Sequence, residues 1–233
     1  MSTTATGKKY CAKPLEGFLI ASDLDGTIVD GDTIFAFFRG FSLEKEAARL
    51  DAEENGSDVR VLLERVASRD PIPNEAFARV ADDAKLFPGA AGFFSGVESL
   101  GARVCILTAS YEPIAERVAG RLGLKDAVVL ASRLRMAGGK AVGLVGPVIE
   151  GKQKEAALLR ACSDAGTPLS MVAGIADSEG DAPFMARIKQ GGGKCIWVTK
   201  PDFRGINADV MNWTKSVKSA KRAEKPRDGS GNV

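Results

Sequence analysis

The 233-residue chain contains no histidine. Ser-His-Asp and Cys-His catalysis, imidazole-ligated zinc and a phosphohistidine intermediate are thereby excluded. Acid–base work falls to carboxylates, Lys, Tyr, Cys or water. Cysteine is scarce as well. Cys11, Cys105, Cys162 and Cys195 stand far apart, without a C-x-x-C spacing. Cys105 and Cys195 lie in apolar runs and read as small buried hydrophobes. No leader-type pattern opens the chain, and no apolar run approaches the ~20 residues of a membrane span. The expected setting is reducing and cytoplasmic.

Charge of one sign is lacking overall, since 32 Lys and Arg face 30 Asp and Glu. The near-balance hides an uneven distribution. Residues 1–13 carry Lys8, Lys9 and Lys13 and no acid, and residues 214–233 carry six bases against Glu224 and Asp228. The body between them is mildly acidic. The basic character therefore belongs to two tails, which read as solvated, frayed termini. Trp213 is the one aromatic residue near the second tail, an arrangement poorly suited to base stacking. No specific nucleic-acid partner is expected, and membrane-surface contact through the tails ranks behind simple solvation.

With 45% hydrophobic residues, the chain can bury a sizeable core. Phe18–Ala21, Arg103–Leu107, Val128–Ala131, Met171–Ile175 and Cys195–Val198 read as short buried strands. Helices are expected at Ala91–Leu100, Pro113–Leu124, Lys152–Ala165 and Asp181–Lys189. Residues 133–145 read as a hairpin turning at Gly138-Gly139. This alternation predicts βαβ units and an α/β fold with a doubly wound, mostly parallel sheet. Residues 43–86 are dense in Ala, Glu, Arg and Leu and interrupt that rhythm directly after the first strand. With the aromatic-rich 33–40 they read as an inserted helical subdomain.

In open α/β sheets, ligands bind outside the carboxyl ends of the strands. Three of these ends carry chemistry: D-L-D-G-T at Asp23–Thr27, T-A-S at Thr108–Ser110, and D-S-E-G-D at Asp177–Asp181. Lys152 opens a helix as G-K-Q-K, with Lys154 as a neighbouring competitor. One Asp after a strand is an ordinary cap or turn residue. Four converging carboxylates would repel one another and raise each other's pKa. A divalent cation removes that penalty, and an oxygen-only donor set suits Mg²⁺.

In this order the four segments resemble the motifs of the haloacid dehalogenase superfamily, over roughly residues 18–200. The insertion after the first motif, the hairpin and the Gly-Lys opening of the next helix resemble its phosphoserine-phosphatase-like branch (subclass IB, with a C1 helical cap). The resemblance implies a Rossmann-like core at 14–31 and 87–213, a cap at 32–86, and tails at 1–13 and 214–233. It implies that Asp23 is a nucleophile forming an aspartyl-phosphate. Asp25 would protonate the leaving alcohol and then activate water. Asp23, the main-chain carbonyl of Asp25 and Asp177 would hold Mg²⁺, supported by Asp181. Thr108 and Lys152 would bind phosphate oxygens. The amides of Leu24 and of Ala109 or Ser110 would add donors, and Ser110 would share the phosphate contact.

Asp25 speaks against dehalogenation, because a departing halide needs no proton. The substrate implied is a phosphomonoester of a small metabolite, phosphoserine first. Asp32 stands where the branch places an acid for the substrate amine, usually Glu. Arg65 stands where it places an Arg for the carboxylate. Three further departures are Ala176 in place of Gly, Gly180 in place of Asn, and Thr108-Ala109-Ser110 in place of Ser-Gly-Gly. They leave glycerol phosphate, phosphocholine-like and lipid-like phosphates as alternatives. A binding or regulatory protein that uses its basic tails is the alternative of another class. Phe35, Phe37, Phe38 and Phe41 read as packing residues, or as the lining of an apolar substrate pocket.

Overall fold

The computed structural model describes residues 13–43 and 57–224. The part of the predicted helical stretch at 44–56 lies outside the described residues. The described chain runs β1 (Leu19–Ser22), α1 (Thr33–Arg39), α2 (Ser57–Arg69), β2 (Ile72–Pro73), α3 (Asn74–Asp83), α4 (Ala90–Ser99), β3 (Arg103–Tyr111) and α5 (Glu112–Arg121). It continues with β4 (Val128–Ala137), β5 (Lys140–Val145), α6 (Lys152–Ala165), β6 (Val172–Ala176), α7 (Ala182–Gln190), β7 (Lys194–Trp197) and α8 (Phe203–Glu224).

The sheet order is β2-β5-β4-β3-β1-β6-β7. The five strands from β4 to β7 are mutually parallel, and β5 and β2 extend the sheet antiparallel at the β4 edge. This is the doubly wound α/β sheet expected from the sequence. The chain winds outward from β1 in both directions, so the ends of β3, β1 and β6 flank the point where strand order reverses.

β1 is central, and all four of its residues are buried. A strand covered on both faces reads as a continuous apolar run rather than an alternation, which explains F-L-I-A. Its side chains still divide by face. Leu19 and Ala21 join Leu158 and Cys162 of α6 and Phe184, Met185 and Ile188 of α7. Ile20 joins the opposite cluster, with Phe94 of α4, Val118 of α5 and Phe203 of α8.

The hairpin turns where expected. Gly138 and Gly139 both have positive φ, 57° and 77°, which a two-residue turn of this hand requires. β4 is longer than the predicted Val128–Ala131, because the parallel strand runs straight on into the hairpin.

The insertion after β1 is present as α1, α2, β2 and α3. Its core is not separate from that of the sheet. Phe37, Phe38, Leu62, Leu63 and Phe77 belong to the same buried cluster as Tyr111, Ile114 and Leu144. Phe37 stacks on Phe77 with ring centres 4.9 Å apart, and Tyr111 meets both rings edge-on. Phe37 and Phe38 are thus packing residues, whereas Phe41 is exposed.

The second basic segment differs from the frayed tail expected of it. From residue 214 the chain stays helical to Glu224. Thr214 is buried, Val217 packs on the main cluster, and the Lys218 ammonium donates to the Pro14 carbonyl. Trp213 anchors this helix edge-on against Phe18, at 5.4 Å. Among the described residues no helix is long and apolar enough to cross a membrane.

Candidate active site

Asp23 follows β1 directly, and its amide donates to the Ile175 carbonyl of β6 at 3.0 Å. It is 5% exposed. Its carboxylate Oδ1 accepts from the Lys154 ammonium at 2.5 Å, and the same ammonium reaches Asp181 Oδ1 at 2.6 Å. Asp181 is fully buried, and its other oxygen accepts from Ser178 Oγ at 3.0 Å. Carboxylate oxygens of Asp23, Asp177 and Asp181 all lie within 4.8 Å of one another.

The lysine at this centre is Lys154, which corrects the expectation of Lys152. Lys154 lies on the inward stripe of α6 with Leu158 and Cys162, at successive intervals of four. A residue two positions away on a helix points to the other side, and Lys152 is exposed. The apolar spacing of Leu158 and Cys162 was the signal in the sequence that picks Lys154.

Burial pushes the Asp23 carboxyl up to about 7; Lys154 opposes that rise and Asp181 adds to it. Burial also works against the Lys154 charge, but Asp23 and Asp181 outweigh it and hold the ammonium above its usual range. Two carboxylates thus share one ammonium, and Asp177 adds a third. The cluster retains negative charge that a cation or a proton must balance.

Asp177 is placed by the first motif itself. Thr27 Oγ1 donates to Asp177 Oδ1 at 2.8 Å. Gly26 has φ of +73°, and a Cβ there would lie 2.1 Å from Asp177 Oδ2. The G-T of D-L-D-G-T therefore serves a carboxylate 150 residues on: Gly26 makes room for it and Thr27 holds it.

Asp25 is not one of the three clustered carboxylates but lies close enough for Asp23 to raise its pKa. Thr33, at the start of α1, donates its amide to Asp25 Oδ1 at 3.0 Å and its hydroxyl to Oδ2 at 2.9 Å. Burial raises the Asp25 pKa well above the usual carboxylate range, with Asp32 and Asp23 adding to the rise and Thr33 opposing it. Sequence reasoning missed Thr33, whose only signal was its place directly after an N-cap Asp.

Thr108 is buried beyond the regular part of β3, where the β3–β4 register shifts between Leu107 and Tyr111. Its hydroxyl oxygen accepts from the Ser110 amide at 3.0 Å. That engagement leaves the Thr108 hydroxyl hydrogen for a ligand and takes the Ser110 amide out of the expected donor set. The Ser110 hydroxyl lies 2.6 Å from Thr33 Oγ1, on the Asp25 side, rather than in the expected phosphate contact. The Ala109 carbonyl accepts from Ser132 Oγ. The Leu24 amide is near enough to the Asp23 carboxylate to oppose the rise in its pKa.

Asp32 is the N-cap of α1, and its Oδ1 accepts from the Phe35 amide at 2.8 Å. It is exposed and close enough to Asp25 to raise that group's pKa. Arg65 is exposed on α2, where Leu62, Leu63, Val66 and Ala67 are buried. A groove of about 660 Å³ runs between α1 and α3, from Asp32 and Thr33 past Phe41 to Arg79 and Lys85. Asp23 does not line it.

A β1 carboxylate against a buried lysine, with acids from the end of β6 beside it, defines a class. Residues 20–186 match the haloacid dehalogenase-like hydrolase family, and the chain belongs to it. Within that family it is similar to phosphoserine phosphatases. It is 28% identical over 171 residues to the phosphoserine phosphatase of Halobacterium salinarum, covering 72% of this chain and 81% of that one. The same identity holds to phosphoserine phosphatase SerB2 of Mycobacterium tuberculosis, of which it covers 41%. The fold superposes on a phospho-aspartyl intermediate analogue of phosphoserine phosphatase with TM-score 0.64 and 21% identity, covering 84% of this chain and 99% of the other.

Proposed function

We propose that the protein is a Mg²⁺-dependent phosphomonoester hydrolase, working through an aspartyl-phosphate on Asp23. Its substrate would be a small phosphorylated metabolite of the cytoplasm, with phosphoserine the first candidate. The observation that carries this reading is the Asp23–Lys154–Asp181 cluster beside a separately held Asp25, close enough for Asp23 to raise the Asp25 pKa. The donor chemistry fits the ion. Three carboxylates within 4.8 Å, without His or Cys, form a hard oxygen set whose charge one ammonium does not balance. Asp23 and Asp177 would hold Mg²⁺ together with the Asp25 carbonyl. Asp181, both of whose oxygens are already engaged, supports Lys154. When bound, the ion supplies charge neutralisation at the phosphate oxygens.

The chain's own groups then divide the work. Asp23 attacks phosphorus as its ionised carboxylate. Lys154 and the Thr108 hydroxyl bind the phosphate oxygens and stabilise the charge that develops on them. Asp25 gives a proton to the departing alkoxide and takes one from the water that hydrolyses the intermediate. Its raised pKa suits the first role.

The relatives' names favour phosphoserine, and Asp32, which lines the groove, would be the acid that meets a substrate amine. The test is phosphate release with Mg²⁺ across phosphoserine, glycerol phosphates, phosphocholine, sugar phosphates and lysophospholipid phosphates. We expect turnover that is abolished by chelator and by Asp23→Asn. Full activity under either condition would remove this reading.

A further inference from the structure

We propose that Thr33, braced by Ser110, is a positioning residue that aims the Asp25 carboxyl at the leaving-group oxygen. The inference rests on the phosphomonoesterase reading and deepens it. Thr33 is buried, and it occupies both oxygens of Asp25, one through its amide and one through its hydroxyl. Two contacts on two oxygens fix the rotation of a carboxyl group, where one contact would leave it free to swing. The amide belongs to the first turn of α1, whose N-cap Asp32 holds that turn through the Phe35 amide. The Asp25 carboxyl is therefore clamped by a helix terminus rather than by a mobile side chain.

Ser110 completes the device. Thr33 has a single hydroxyl proton and gives it to Asp25. The 2.6 Å contact between the two hydroxyls then requires Ser110 to donate to Thr33 Oγ1. Ser110 is fully buried, so that donation is not shared with bulk water. The chain Ser110–Thr33–Asp25 joins the end of β3, the start of α1 and the loop after β1. The second hydroxyl of T-A-S is thereby drawn into holding the acid instead of the phosphate.

In the step served, the Asp23 oxygen forms a bond to phosphorus and the phosphorus–alkoxide bond breaks. Its electron pair goes to the alkoxide oxygen, which takes the proton from the Asp25 carboxyl and leaves Asp25 ionised. An alkyl phosphate needs that proton. An aryl phosphate such as p-nitrophenyl phosphate releases a stable anion and does not. Loss of aim at Asp25 must therefore separate the two substrates, whereas general damage to the site would not.

The experiment compares kcat/KM, which reports the steps through departure of the leaving group, for an alkyl phosphate and for p-nitrophenyl phosphate. Thr33→Val keeps shape and amide but loses the hydroxyl. We expect its alkyl kcat/KM to fall about tenfold or more, and its aryl kcat/KM to change less than about threefold. The aryl reaction should also begin with a burst, because Asp25 still has to activate water in the later step. Thr33→Ser should restore the alkyl value, and Ser110→Gly should show the same selectivity at a few-fold magnitude. Equal losses on both substrates, or no loss in Thr33→Val, would overturn the inference while leaving the phosphatase reading intact. A wild-type protein that hydrolyses neither substrate would overturn both.

Discussion

Lys154 carries the sharpest residue-scale prediction. Lys154→Met leaves Asp23 and Asp181 facing each other in a buried site without their shared cation. Breaking a buried pair on one side costs about 3–5 kcal/mol, and losing a charge-stabilising donor costs about 10²–10³ in kcat. Lys152→Ala removes an exposed side chain and should shift stability by less than about 0.5 kcal/mol, with activity unchanged. Thermal midpoints and phosphate release on the two variants check the pair of expectations. Asp23 yields a prediction about pH. Its folded-state pKa of about 7 lies above its usual 3.8, so the folded protein holds a proton that the unfolded chain has released. Stability contributed by this group is present below about pH 4 and is lost as pH rises towards 7. In chelator, the thermal midpoint of Asp23→Asn relative to wild type should therefore be more favourable at pH 8 than at pH 5. An unchanged or reversed difference would contradict the assignment. Asp23, Asp25 and Asp177 were legible in the sequence as candidate site residues because each follows an apolar strand. Lys154 was harder to read, since Lys152 and Lys154 offer the same chemistry and only the Leu158–Cys162 stripe separates them. Thr33, and the Asp177 partner of Thr27, were hidden because these contacts are fixed by tertiary placement.

At the scale of the element, β3 shows what local pattern does and does not reveal. Its apolar run R-V-C-I-L marks a strand, but pairing continues to Tyr111 through a register shift. That shift places Thr108, Ala109 and Ser110 in three different environments, which alternation alone would not suggest. Tyr111 ends the strand fully buried among Phe37 and Phe77, and its hydroxyl has no hydrogen-bond partner among the described residues. An unmet buried hydroxyl costs about 1–3 kcal/mol. Tyr111→Phe should therefore leave the thermal midpoint unchanged or raise it, and a clear fall would show that the hydroxyl is partnered in solution. Helix α8 is the element that sequence reading missed. Its basic residues suggested solvation, but one edge carries Trp213 and Val217 against the main cluster and buries Thr214. A charged helix can still dock by a narrow stripe.

For the whole molecule, the doubly wound, mostly parallel sheet was legible from the alternation of strands and helices, and it pointed to the carboxyl ends of its strands as the candidate site. The ends of β1, β3 and β6 meet because β1 is central. The degree to which the insertion fuses with the sheet was not legible. Phe37 and Phe77 read as helix residues of a separate unit, yet they close over Tyr111 of the sheet. Asp25 sits at that junction, held by the first residue of α1. The insertion and the sheet are thus joined at Asp25 and through a shared core rather than assembled from two independent bodies. The most direct test of this account is the mass of the protein quenched in acid during turnover of a phosphomonoester with Mg²⁺. The account predicts one added phosphoryl group, mapped to Asp23, labile to alkali and absent from Asp23→Asn. Turnover with no adduct at Asp23, or with an adduct elsewhere, would contradict it.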